Sequence, residues 1–292
     1  MMDNYQPGIL QPLPEQAVYL TCNLGQTTRL EQVIETLQTL DTDNIVVAIG
    51  YSLLDRFDRS VPGLKVMPAF ASKHIGAGTA TDLWCWIRGD DRGELLHRSR
   101  RIISHLSPIF DLIDSVDAYL YAGGRDLTGY EDGTENPVAD AAIEAAILNS
   151  DEAPLSGSSF VAVQQWQHDL EKFDTFPGEH QDNLIGRRRS DNIEFDDAPE
   201  SAHVKRTAQE SFDPEAFLVR RSMPWNIELQ AGLMFVAFGH SFDAFEAQLN
   251  RMIGADDGIE DGLFQFSSVL NSAYYWCPPV IQGRINLAAF DQ

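Results

Sequence analysis

Cysteine is scarce in this chain of 292 residues: Cys22, Cys85 and Cys277 are widely spaced and odd in number, which argues against a disulfide framework and against a zinc ligand set. Cations are scarce as well. Lys and Arg number 21 against 44 Asp and Glu, a formal net charge of −23, so nucleic acid is excluded as a natural partner, while cationic molecules would gather near the surface at low salt. Long apolar runs are missing, and with them the signature of a membrane span. The opening Met1-Met2-Asp3-Asn4-Tyr5-Gln6-Pro7-Gly8 carries no basic, twin-arginine or apolar export signal, so a cytoplasmic protein is expected. Core material, by contrast, is plentiful. Hydrophobic residues make up 43% and aromatics 10%, enough for a packed interior and, at this length, for two compact halves.

Periodicity supports two halves of similar plan. Strand patterns at 17–24, 44–52, 82–88 and 114–121 are interleaved with helical patterns at 27–40, where Leu30, Val33, Ile34, Leu37 and Leu40 recur, and at 93–106. The second half repeats the order loosely, with strands at 158–167, 217–223, 233–240 and 273–277 and helices within 170–185 and at 242–253. Adjacent strands inside each half predict an α+β protein of two ferredoxin-like halves, antiparallel sheets flanked by helices, rather than a doubly wound parallel sheet. The joint falls around 136–157, giving halves of 1–154 and 155–292. Asn136 is the expected cap of a helix there, with Pro137 in its first turn and Val138, Ala141, Ala142, Ala145 and Leu148 as its buried stripe.

The most informative stretch is Gly129-Tyr130-Glu131-Asp132-Gly133-Thr134-Glu135-Asn136-Pro137, which fixes a carboxylate between two glycines just ahead of that helix. An Asp-Gly pair alone reads as a tight turn. The full string resembles the GxxDG motif of the dye-decolorising peroxidases, in which the aspartate lies over a haem iron on the peroxide side. Other segments extend the resemblance over most of the chain, in the right order. Spacing alone does not select His203 among seven histidines. The run Asp196-Asp197-Ala198-Pro199-Glu200-Ser201-Ala202-His203-Val204-Lys205-Arg206 is similar to the proximal-ligand region of the bacterial, cytoplasmic B/P-type subgroup. In Phe217-Leu218-Val219-Arg220-Arg221-Ser222, Arg220 matches the distal arginine, with Arg221 its rival if the register slips by one. Ser222 falls where relatives carry asparagine or serine. Asp261, in Glu260-Asp261-Gly262-Leu263-Phe264, matches the acid that accepts a hydrogen bond from the proximal histidine.

The resemblance implies one haem b per chain, held chiefly by the C-terminal half, with His203 as the iron ligand. Arg187 is the first choice for a propionate partner, because guanidinium matches carboxylate geometry, and Glu131 and Gly133 join the cofactor-binding set. Asp132 is implied as the acid–base group, with Arg220 and Ser222 beside it. The implied activity is reduction of hydrogen peroxide and oxidation of small aromatic or dye-like donors through a ferryl intermediate. Electrons would arrive through surface tyrosine or tryptophan, with Trp84, Trp86, Trp166, Trp225 and Trp276 the candidates by type, and a homo-oligomer, a dimer or larger, is expected. Two other readings remain: a haem-handling protein that stores, transfers or strips iron from the cofactor, and a non-haem module in which GxxDG is only a turn.

Overall fold

The computed structural model describes residues 4–152 and 154–291. Its first sheet is built from β1 (Gln16–Leu24), α1 (Leu30–Gln38), β2 (Ile45–Gly50), α2 (Tyr51–Asp55), β3 (Leu83–Gly89), α3 (Arg92–Leu106) and β4 (Phe110–Tyr119). The strands pair in the order β2-β3-β1-β4, antiparallel throughout, which is the ferredoxin-like arrangement. In α3, Asp91 caps the helix by accepting from the Glu94 amide, and Leu95, Ser99, Ile102 and Leu106 form the buried stripe.

After α4 (Ala139–Ala146), the second sheet is built from β5 (Ser159–His168), α5 (Leu170–Thr175), α6 (Gly178–Ile185), α7 (His203–Arg206), β6 (Val219–Arg220), β7 (Met223–Ile227), β8 (Gln230–Gly239), α8 (Asp243–Met252) and β9 (Ser267–Cys277). It repeats the order, with β5 between β9 and β8 and with β6 and β7 sharing the far edge of β8.

Two short seams join the sheets: Ile49–Trp276 and Gly50–Tyr275 on one side, Ala118–Trp225 on the other. The result is a closed antiparallel barrel, which leaves few free edges. Strand alternation divides the core accordingly. Ala17, Tyr19, Trp84, Trp86, Val161, Trp225, Phe238 and Tyr275 fill the lumen, whereas Val18, Leu20, Leu83, Cys85, Ile87, Ala162 and Trp276 pack outward under the helices.

Two expectations need correction. The strand expected over 217–223 is broken at Arg221 and Ser222 into β6 and β7, because β8 is paired by β7 along its first half and by β6 along its second. Asn136 does not cap α4: Val138 holds that position without a side-chain bond, and Ala139 sits at φ 52°. Val138 and Ala141 are exposed, and the buried face of α4 is Ala142, Ala145 and Ala146. The Asn136 amide is engaged elsewhere.

Candidate active site

His203 opens α7, a single turn held on both flanks. The Arg206 guanidinium forms a two-pronged pair with Asp257, at 2.7 and 2.9 Å, and also donates to the Arg251 carbonyl. Before it, Gly186 ends α6 at φ 93°, and a Cβ there would stand 2.4 Å from the Val204 side chain. Only glycine both turns left-handed and lets the two segments approach so closely. His203 Nδ1 lies 2.8 Å from Asp261 Oδ2, and the other oxygen of that carboxylate accepts from the Leu263 amide at 2.8 Å. Asp261 is 1% exposed, so the imidazole is aimed by a carboxylate that is itself fixed, leaving Nε2 as the ring nitrogen for a ligand.

His203, Asp132, Glu131 and Arg220 all line one cleft, which encloses about 840 Å³ of space free of atoms, including the part open to solvent. Its remaining wall is mostly apolar: Trp166, Ile185, Leu233, Phe235, Phe245, Leu249, Met252, Leu263 and Phe266. Arg220 Nε and Asp132 Oδ1 are 4.0 Å apart. The Gly133 amide donates to Asp132 Oδ1 at 2.7 Å, so the carboxylate is oriented by its own loop. Glu131 is held by Arg125 at 2.9 Å and by Asn192 at 3.0 Å.

What sets the spacing of Asp132 and Arg220 is a residue that the sequence pattern assigned to a cap. Asn136 Oδ1 accepts from the Arg220 amide at 2.7 Å and its Nδ2 donates to the Arg220 carbonyl at 3.0 Å. The side chain thus takes the place of a neighbouring strand for the two-residue β6. Gly133 makes room for it, with φ 71° and an added Cβ 2.9 Å from Asn136 Nδ2. Gln209 adds a second stitch, donating to the Glu135 carbonyl at 2.6 Å and accepting from the Leu218 amide at 3.0 Å. Asn136→Ala is expected to cost about 2 kcal/mol of stability, at roughly 1 kcal/mol per lost bond. Denaturant unfolding of the variant beside the parent measures that loss directly.

The other expected residues fall nearby but outside this cleft. Ser222, buried, lines an adjoining cavity, and its hydroxyl accepts from the Val236 amide at 3.4 Å. Arg221 turns away, donating to the carbonyls of Ile9, Leu10 and Arg220, and of the two arginines Arg220 is the one that lines this cleft. Arg187 does not line the cleft: its Nη2 is 2.8 Å from both Glu135 and Glu194. All five tryptophans are buried, at 5% exposure or less. None of them offers a surface entry for electrons.

Sequence reasoning passed over a second imidazole–carboxylate couple in the cleft wall. His168 Nε2 is 3.0 Å from Asp126 Oδ2 and its Nδ1 2.7 Å from Ser267 Oγ, while Thr128 donates twice to Asp126 Oδ1. Burial pushes the Asp126 carboxyl up, but the charge and hydrogen bond of His168 and the bonds from Thr128 outweigh it and hold the group at about 2. A folded-state value below the unfolded one stabilises above the unfolded value near 4, and that contribution is lost as pH falls through about 2. Asp126→Asn should therefore lower stability by about 2 kcal/mol near neutral pH. The gap to the parent, read by denaturant unfolding, should narrow as the pH is taken below about 4.

Residues 123–282 match the family described as Dyp-type peroxidase, C-terminal. The dye-decolorizing peroxidase of Rhodococcus erythropolis is 28% identical over 291 residues, covering 92% of this chain and 85% of that protein. That of Mycobacterium tuberculosis is 25% identical, covering 93% and 88%. Among solved structures, a dyp-type peroxidase protein from Shewanella oneidensis superposes with a TM-score of 0.88 at 28% identity, covering 96% of this chain and 97% of the other. A Rhodococcus jostii DypB variant in complex with heme gives 0.85 at 24% identity, covering 92% and 94%, a likeness of fold.

Proposed function

Because the chain belongs to the Dyp-type peroxidase family, we propose that it is a haem peroxidase whose chemistry takes place in the cleft shared by His203, Asp132 and Arg220. The observation that carries the reading is that shared cleft, with an imidazole anchored by Asp261 and a carboxylate and guanidinium 4.0 Å apart in one apolar chamber. The residues present fit haem: an apolar wall suits the porphyrin faces, and an imidazole with one nitrogen anchored is a standard iron ligand. Haem, when bound, supplies a redox-active iron with a position open to peroxide.

The protein's own groups have separate tasks. His203 would hold the iron of a bound haem, and Asp261, by accepting from Nδ1, orients the ring and would make it a better donor. The Asp132 carboxylate takes the proton from one peroxide oxygen and delivers it to the other, which leaves as water. The Arg220 guanidinium stabilises the negative charge on the departing oxygen, an interaction strengthened by the dry wall around it. Ser222 supports β8 next to Arg220 through the Val236 amide. Arg187 would pair with a haem propionate, and Glu131 and Gly133 hold the loop around Asp132. The C-terminal half, 155–292, is the main cofactor-binding half, and small aromatic or dye-like molecules are the electron donors.

The test is turnover. Chain loaded with haem should bleach an aromatic dye only when peroxide is present, and the same chain without haem should not. Bleaching that is absent with both haem and peroxide supplied would overturn the reading.

A further inference from the structure

Beside the cleft lies a second cavity with about 860 Å³ of atom-free space on the same measure, lined by Arg125, Arg220, Arg221, Asp132, Asn136 and Ser222 and by apolar groups that include Leu13, Leu120, Pro224 and Leu233. Asp132, Arg220 and Leu233 belong to both chambers. The charge of this second chamber sets it apart. Arg125 is neutralised by Glu131 and Arg220 faces Asp132, but among the described residues Arg221 has no carboxylate within ion-pair distance. Its three bonds go to backbone carbonyls, which, among the described residues, leaves two of its five N–H groups without a partner.

A second cation stands behind it. Arg88 is 4% exposed, lies over the Trp86 ring at 4.8 Å, and bonds to the Gln11 side chain and the Pro12 carbonyl. Burial, and then the charge of Arg221, lower its pKa to about 10. Asp90 and Tyr19 oppose that lowering, so the uncompensated charge rests on Arg221, and a half-buried guanidinium without a carboxylate calls for an anion or water nearby. Leu13, Leu120, Pro224 and Leu233 on the same wall favour an anion that carries an apolar body.

We propose that the second cavity is a binding site for a small monocarboxylate with an apolar or aromatic body, its carboxylate paired with Arg221 and its body against Leu13, Leu120 and Pro224. The fork of the guanidinium matches a carboxylate through paired donors, and Ser222 supplies a hydroxyl at the same wall. A ligand there meets Arg220 and Asp132 from outside the haem cleft, so it is positioned to slow their work without touching the iron. The inference does not depend on the peroxide chemistry proposed above.

The test is calorimetric titration of the haem-loaded chain with benzoate, and in parallel with benzamide, a neutral molecule of the same shape, while the Soret band is recorded. Benzoate should bind without shifting the band, and benzamide about tenfold or more weaker, the discrimination expected from one charge-assisted contact. Arg221→Gln should bring benzoate down to the benzamide level, and Leu13→Trp, which fills the cavity and leaves every arginine in place, should abolish binding of both. Equal affinity for benzoate and benzamide, no heat with either, or benzoate binding unchanged in the two variants would overturn the proposal. A chain that binds benzoate in this way yet fails to react with peroxide would sink the peroxidase reading and leave this site standing.

Discussion

His203→Ala is expected to give a folded chain that no longer holds haem through a protein imidazole. Among the described residues, His203 combines a ring in the cleft wall, one nitrogen 2.8 Å from a buried carboxylate and a one-turn helix fixed by the Arg206–Asp257 pair, whereas both ring nitrogens of His168 are engaged, by Asp126 and Ser267. Removal of the His203 ring leaves the apolar wall intact, so loose haem uptake can persist without the imidazole. Imidazole added to the buffer should restore a histidine-like spectrum, because the alanine leaves a ring-sized gap above Asp261. Asp261→Asn keeps the ligand but weakens its orientation, and should cost about 10- to 100-fold in haem affinity. Haem titration followed at the Soret band, with far-ultraviolet circular dichroism as the check on folding, separates these outcomes. A parent-like spectrum in His203→Ala without added imidazole would remove His203 as the ligand.

The second large effect is expected from Asp132 and Arg220. Asp132→Asn keeps the shape of the loop and its bond from the Gly133 amide but cannot accept a proton, and general acid–base groups of this kind contribute about 10²- to 10⁴-fold. Arg220→Leu removes the charge facing the departing oxygen, an effect of about 10²- to 10³-fold. Both losses should appear in kcat/KM for peroxide with little change in KM for the dye, since neither group is assigned to the donor. The double variant should lose less than the product of the two, because groups 4.0 Å apart that act on one bond are strongly coupled.

Much of the architecture was legible because alternation and helical spacing are direct records of which face is buried. β3, with Trp84 and Trp86 on one face and Leu83, Cys85 and Ile87 on the other, and α3, with its buried stripe, came out within a residue or two of expectation. Closure of the two sheets into a barrel was not legible, since it depends on three residue pairs, 49–276, 50–275 and 118–225, that are distant in sequence. Nor was the role of Asn136. An Asn-Pro ahead of an alanine-rich run has the form of a helix cap, and only the tertiary structure brings its amide against the peptide of Arg220. The Asp126–His168 couple was missed for a related reason: its members are ordinary in composition and meet only where the loop after β4 reaches the last residue of β5. Among the described residues no helix is long and apolar enough to cross a membrane. The haem-handling reading loses ground, since the family and the relatives are peroxidases by name.

The central claim is that one apolar cleft places an iron-holding imidazole at 203 within reach of the carboxylate and guanidinium at 132 and 220. Rapid mixing of the ferric, haem-loaded chain with a single equivalent of peroxide, followed at the Soret band, tests it most directly. The account predicts a fast spectral change in the parent and the same change slowed about 10²-fold or more in Asp132→Asn and in Arg220→Leu. A change that is missing in the parent, or equally fast in all three proteins, would contradict it.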